Sequence, residues 1–196
     1  MGTRPGNDLI ALQGATHAFQ LVQTAPCPVL VIPARREELV FEQILFPVRP
    51  IPGAPDKYEV VRQLLLESGG AELIVLALFS PNEVISRYQL EEDVSLLEGK
   101  LTRDGVKTCI DYCPTDLMAE TVLEKAFERK ADLLVITAGP GDGSDVFFTD
   151  SFTRQMLRYA PCPALAIRPE GAADGPGKGV FWRQGSIDSA SLDPDS

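Results

Sequence analysis

One short stretch of this chain occurs twice, and the recurrence narrows the available folds more than any single motif does. Residues 25–33 read APCPVLVIP, and residues 160–169 read APCPALAIRP. Sliding the sequence by 135 positions without a gap pairs nine identities: Pro5/Pro140, Gly6/Gly141, Gln20/Gln155, Ala25/Ala160, Pro26/Pro161, Cys27/Cys162, Pro28/Pro163, Leu30/Leu165 and Ile32/Ile167. A repeat whose offset is close to one domain length points to two copies of one domain. On this reading residues 1–35 are the residual last helix and strand of a preceding repeat, and a complete second copy follows at 42–169.

From residue 40 onward, buried strands alternate with amphipathic helices. QILFPV at 43–48 is a short apolar run. PIPGAPD at 50–56 is a loop in which Asp56 is placed to cap the next helix. Tyr58, Val61, Leu64, Leu65 and Ser68 share one helical face, and Gly69-Gly70 ends that helix. ELIVLALF at 72–79 is apolar on both faces, as a central parallel strand must be. Leu90, Val94, Leu97 and Leu101 form a second helical stripe, followed by a third strand, VKTCIDYC at 106–113. Pro114-Thr115-Asp116 opens a helix with Leu117, Met118, Val122 and Ala126 inward. ADLLVIT at 131–137 is the fourth strand, AGPGDGSD at 138–145 a glycine-rich loop, 150–159 a last helix and PALAI at 163–167 the fifth strand. Strands separated by single helices imply parallel βαβ units with right-handed crossovers.

Composition removes several function classes. A net charge of −10 opposes nucleic acid, whose phosphates are bound by clustered Lys and Arg, and opposes an anionic membrane surface. No apolar run approaches the ~18 residues of a membrane span, and no signal peptide is visible, so the expectation is a cytoplasmic protein with neither nucleic-acid nor membrane partners. Cys27, Cys109, Cys113 and Cys162 form no CxxC pair, and the single His17 lacks zinc partners, so the cysteines read as buried packing groups. Residues 170–196 hold five acids against two bases amid Gly, Ser and Pro, and are read as a disordered acidic tail. Val180, Phe181 and Trp182 form its one apolar patch.

ILFPV at 44–48, ELIVLAL at 72–78, PTDLMAETVLEKAFERKADLLVIT at 114–137 and RQMLRYAPCPALAIRP at 154–169 together resemble the universal stress protein family. That resemblance implies an α/β fold: a five-stranded parallel sheet in order 3-2-1-4-5 with helices on both faces, dimeric or tandem. In that family the fifth strands of two domains pair across an interface. The expected partner contact is therefore a homodimer, or a pseudo-dimer within the chain, through strands 28–32 and 163–167. A further, unidentified protein partner is also expected.

Many members of that family bind ATP between the first and fourth strands, where glycine N–H groups and a helix N-terminus meet the phosphates. The pattern is Gly, two residues, Gly, nine residues, then Gly with Ser or Thr. Aligned from the APCP anchor, this chain offers Thr137, Pro140 and Asp150-Ser151. Asp150 sets a carboxylate where phosphate should lie, and Pro140 lacks an N–H. A loop shifted by one residue would instead use Gly139, Gly141, Gly143 and Ser151. Arg49 stands where nucleotide-binding relatives have Asp; it either attracts an anion or pairs with Asp56 or Asp116. Ser68-Gly69-Gly70 ends a helix and so differs from an ATP-cleaving SGGxDS loop, and neither GxxxxGK[ST] nor GxSxG occurs. The resulting expectation is a non-catalytic protein that acts in stress response through association and needs no cofactor. The alternative is an ATP or AMP sensor built on a shifted glycine loop at 139–143.

Overall fold

A computed structural model describes residues 17–33, 39–51, 53–138 and 152–168. Six strands form one sheet: β1 (Val29–Val31), β2 (Gln43–Val48), β3 (Glu72–Phe79), β4 (Lys107–Pro114), β5 (Leu133–Thr137) and β6 (Ala164–Ile167). The helices are α1 (17–24), α2 (Lys57–Glu67), α3 (Val84–Asp104), α4 (Met118–Glu128) and α5 (Phe152–Tyr159). Sheet order is β1-β6-β5-β2-β3-β4. Strands β2 to β6 are parallel and take the expected 3-2-1-4-5 order, whereas β1 adds a sixth, antiparallel strand. The expected count of five is thus exceeded by one, because the first occurrence of the repeated segment, at 25–33, adds its own strand to the sheet.

Strand alternation divides the core into two layers. Ile44, Phe46 and Val48 of β2, with Leu73, Val75 and Ala77 of β3, face α2 and α3. Leu45, Ile74, Leu76, Leu134 and Ile136 face α4, α5 and Val22 of α1. Because β2, β3 and β5 are covered on both sides, they are apolar nearly throughout. Leu90, Val94, Leu97 and Leu101 are all buried, as their spacing predicts. Gly105 ends α3 in the left-handed region (φ 67°), where its N–H reaches the carbonyls of Leu101 and Thr102; a side chain there would strain the turn.

Local expectations fail where the chain enters or leaves an element. Asp56 makes no side-chain cap bond. The N–H of Tyr58 already bonds Pro55 O, and that of Glu59 bonds Asp56 O, so Asp56 is helical before α2 begins and its carboxylate does not reach forward. Ser68 is exposed and Leu64 half-buried, leaving Tyr58, Val61 and Leu65 to carry the inward face. Leu117 is 63% exposed, not inward. Helix α4 starts one residue later, so Ala119, Val122 and Ala126 form its buried stripe. Cys109 and Cys113 share a face but are half-buried, since β4 is an edge strand, and Cys27 is exposed while Cys162 is buried. Residues 170–196 lie outside the described residues.

The repeat seen in the sequence is also a repeat of structure. Helix α1 at 17–24 and helix α5 at 152–159 are related by the same shift of 135, residue for residue. Ala25 N–H bonds Leu21 O at 2.8 Å, and the equivalent Ala160 N–H bonds Met156 O at 3.0 Å. The antiparallel register pairs Leu30 with Leu165, its own equivalent, Val29 with Ala166 and Val31 with Ala164. Val29 therefore meets the equivalent of Val31, and Val31 the equivalent of Val29, which defines an isologous, two-fold contact. The guanidinium of Arg154 lies 4.7 Å from the ring of Phe19, again an equivalent pair.

Asp104 clamps α3 to α2. It accepts from the Tyr58 hydroxyl at 2.6 Å and from Arg62 through both carboxylate oxygens at 2.7 and 2.8 Å. The Arg62 and Tyr58 hydrogen bonds hold its carboxyl well below the usual carboxylate range. Its folded-state pKa is depressed, so its contribution is complete above the unfolded value of about 3.9 and fades as pH falls below it. Asp104→Asn should therefore lower the melting temperature at pH 7 and narrow the gap to wild type at pH 2–3. Equal gaps at both pH values in thermal melts would refute the assignment. Leu97→Ala, made at a site 1% exposed, should cost about 2–5 kcal/mol in denaturant unfolding.

Candidate functional site

In an open parallel sheet the ligand crevice lies beyond the carboxyl ends of the strands, where successive crossovers leave in opposite directions. Here that point falls between β2 and β5, since β3 and β5 flank β2 on its two sides. Arg49 leaves β2 directly into this crevice. Its guanidinium carbon lies 3.9 Å from the ring centroid of Phe152, the first residue of α5, a separation that gives a close cation–π contact. Of the residues singled out in the sequence, Arg49 and Thr137 fall within the described part of this site. Gly139, Gly141, Gly143 and Ser151, together with Pro140 and Asp150, lie outside the described residues.

A second basic side chain, buried, stands close to the first. Lys57 is buried at the first turn of α2. Its ammonium donates to the carbonyl of Pro47 and sits 4.4 Å from the ring centroid of Phe46. Burial, and secondarily the charge of Arg49, push its pKa well below the usual lysine range. Thr137, at the carboxyl end of β5, is 4% exposed, and its Oγ1 has no hydrogen-bond partner among the described residues. Alternation along β5 places Thr137 on the same sheet face as Leu133 and Val135, which pack in the layer containing Phe46 and Tyr58. This end of the sheet thus gathers Arg49, the buried Lys57, the rings of Phe46 and Phe152 and the Thr137 hydroxyl. That set favours an anion or electron-rich group, and among the described residues it places no nucleophile beside a base.

Lys57 escaped the sequence reading, although a signal for it existed. It stands at i relative to Val61 and Leu65 at i+4 and i+8, the inward stripe of α2. A charged residue on an apolar stripe marks a buried ion with a specific partner. Elsewhere, a cleft of about 320 Å³ lies between α3 and β4, lined by Glu98, Leu101, Thr102, Val106, Thr108 and Ile110, toward the opposite end of the sheet. On the second face of β4, Asp111 accepts from Arg129 at 2.6 Å. Burial and the Asp111 carboxylate push the neighbouring Cys113 thiol up, so it is not an activated thiolate. Among the described residues, no group of three or more His, Cys, Asp and Glu converges, and no helix is long and apolar enough to cross a membrane.

No protein-family model matches the chain, and no curated protein matches it. Solved structures do. A universal stress protein from Archaeoglobus fulgidus superposes with a TM-score of 0.59 at 13% identity, over 78% of this chain and 53% of that one. A universal stress protein in complex with cAMP gives 0.54 at 15% identity, over 66% of this chain and 98% of that one. A functionally unknown protein from Pseudomonas aeruginosa gives 0.55 at 17% identity, over 88% of this chain and 62% of that one. The chain therefore has the fold of the universal stress proteins. It spans about half the length of the Archaeoglobus structure.

The buried lysine makes a distinct prediction. Because its folded-state pKa is depressed, the folded chain pays to keep Lys57 charged at lower pH, and the penalty lifts as pH rises toward the unfolded value of about 10.4. Wild-type stability relative to Lys57→Met should therefore increase with pH between pH 6 and 10. Parallel stability curves for the two proteins, measured by urea unfolding across that range, would show that Lys57 stays charged at no cost.

Proposed function

We propose that the chain, which carries the universal stress protein fold, also belongs to that family by function and acts in stress response through protein association, without turnover. The observation that carries this reading is the two-fold pairing of β1 with β6 about Leu30 and Leu165. A contact of that symmetry is one through which two copies of a domain associate, and here it occurs inside one chain as a pseudo-dimer. The crevice supports the same reading, because its mouth is taken by the chain's own side chains. Arg49 spans from β2 to Phe152 on α5, and Lys57 is committed to Pro47 and Phe46 beneath it. Catalysis has no support in this arrangement, since among the described residues no nucleophile–base pair faces the crevice.

A specific observation favours a second reading. The Thr137 hydroxyl, without a partner among the described residues, lies at the carboxyl end of β5, and the Arg49 guanidinium would complement a phosphate. On that reading Arg49 swings off Phe152 when an adenine nucleotide enters, and Gly139, Gly141, Gly143 and Ser151 supply the phosphate loop. The cAMP complex of a structure with this fold is in keeping with it.

Calorimetric titration with Mg²⁺ and ATP, on protein shown by mass spectrometry to be nucleotide-free, separates the two. The expected result is no binding in the wild type and a gain on Asp150→Gly, which removes a like charge from the phosphate position. Micromolar binding by the wild type would overturn the association reading in favour of the sensor.

A further inference from the structure

Helix α3 has two apolar faces, and the core accounts for only one of them. Leu90, Val94, Leu97 and Leu101 are buried against the sheet. On the opposite side Val84, Ile85, Tyr88 and Leu96 are 61%, 76%, 68% and 66% exposed. Among the described residues no other helix or strand leaves more than two large apolar side chains exposed. A surface helix ordinarily turns polar residues outward, so an outer stripe of this kind marks a contact surface. None of residues 84–89 is buried, so the start of α3 stands clear of the core.

The stripe is ringed by acid. Between 83 and 96 lie Glu83, Glu91, Glu92 and Asp93 against a single base, Arg87, which pairs with Glu91 at 2.8 Å. Burial, and then the charges of Asp56 and Glu92, push the Asp93 carboxyl up. A basic group arriving from outside relieves that crowding. The occupant that suits this face is therefore apolar, with bases at its ends. The chain holds one such segment, outside the described residues. Val180, Phe181 and Trp182 are flanked by Lys178 and Arg183, the only bases between 170 and 196, and no acid occurs between 175 and 187.

We propose that residues 178–183 dock on the outer face of α3, with Phe181 and Trp182 against Ile85 and Tyr88 and the two bases among the surrounding carboxylates. The reach is sufficient. Strand β6 is parallel to β5, β2 and β3, so the chain passes Arg168 at the carboxyl end of the sheet. Helix α3 begins at that same end, where Arg87 lies 5.4 Å from the ring of Phe79, the last residue of β3. β6 stands three positions from β3, about 14 Å at ordinary strand spacing, and crossing α3 adds about 10–12 Å. The ten residues from 169 to 178 span up to about 33–36 Å. A second copy is a poorer occupant, because two α3 faces would set Glu91 and Glu92 of each against the other's acids. Docked there, the segment shields the outer stripe of α3 from other proteins, whether the chain works by association or by binding nucleotide.

Trp182 is the only tryptophan of the chain, so its fluorescence reports the docking directly. In the full chain its emission should be blue-shifted, and less quenched by acrylamide, relative to a synthetic peptide of residues 170–196. Ile85→Asp and Tyr88→Asp should each weaken docking about tenfold or more, returning emission and quenching toward those of the peptide. Both side chains are mostly exposed, so the core is spared, and thermal melts check that the variants are folded. The double substitution Lys178→Glu, Arg183→Glu should release the segment as well. Phe127→Asp, at an exposed site in the last turn of α4, should leave the emission unchanged. A wild-type Trp182 as open to acrylamide as the peptide overturns the proposal. So does protection that survives both α3 substitutions, which places the segment elsewhere. Protection lost on dilution overturns it too, since the contact then joins two chains.

Discussion

Three adjacent strands, β5, β2 and β3, carry apolar side chains on both faces, and the rest of the architecture follows from the need to cover them. A sheet apolar on both sides requires helices on both sides. Right-handed crossovers between parallel strands deliver α2 and α3 to one face and α4 and α5 to the other. Covering the strands in that order leaves the carboxyl ends of β2 and β5 parted at the crevice. The site is a by-product of the packing, and its contents are what distinguish this chain.

Those contents are electrostatically unusual. A lysine with depressed basicity lies under an arginine, and both are held against aromatic rings. Two like charges in a confined place disfavour each other, and the electron-rich faces of Phe46 and Phe152, with the Pro47 carbonyl, offset part of that cost. Arg49 brings a positive charge to the crevice of a strongly acidic chain and holds it against Phe152. The engaged guanidinium supports the association proposal, and its charge is the physical basis of the nucleotide alternative.

The far side of the sheet shows where the repeated segment goes. The helix and strand of its first occurrence, α1 and β1, pack against the last strand of the sheet in a two-fold arrangement that also brings Phe19 to Arg154. This contact covers the edge of β6. Leu21 and Ile32 are exposed, whereas Met156 and Ile167 at the equivalent positions are buried.

Much of this was legible in the residues. Periodicity located the strands and the stripe of Leu90, Val94, Leu97 and Leu101, because burial on one helical face is written every three or four residues. The repeated APCP segment located β1 and β6. End effects were not legible: Asp56 stands at the start of α2 without a side-chain cap bond and Leu117 lies one residue before α4, since the way a helix starts depends on backbone bonds such as Tyr58 N–H to Pro55 O that periodicity does not encode. Nor was the crevice, where Arg49 meets Phe152 from about a hundred residues away and Lys57 goes under cover with Pro47. The sequence by itself determined the layers and the existence of a repeated segment, because these rest on local spacing, while the order of the five parallel strands came from the family resemblance. Only the tertiary structure decided that the first occurrence of the segment pairs with the second in one sheet, and which basic groups share the switch point, because both depend on long-range contacts that no local pattern records.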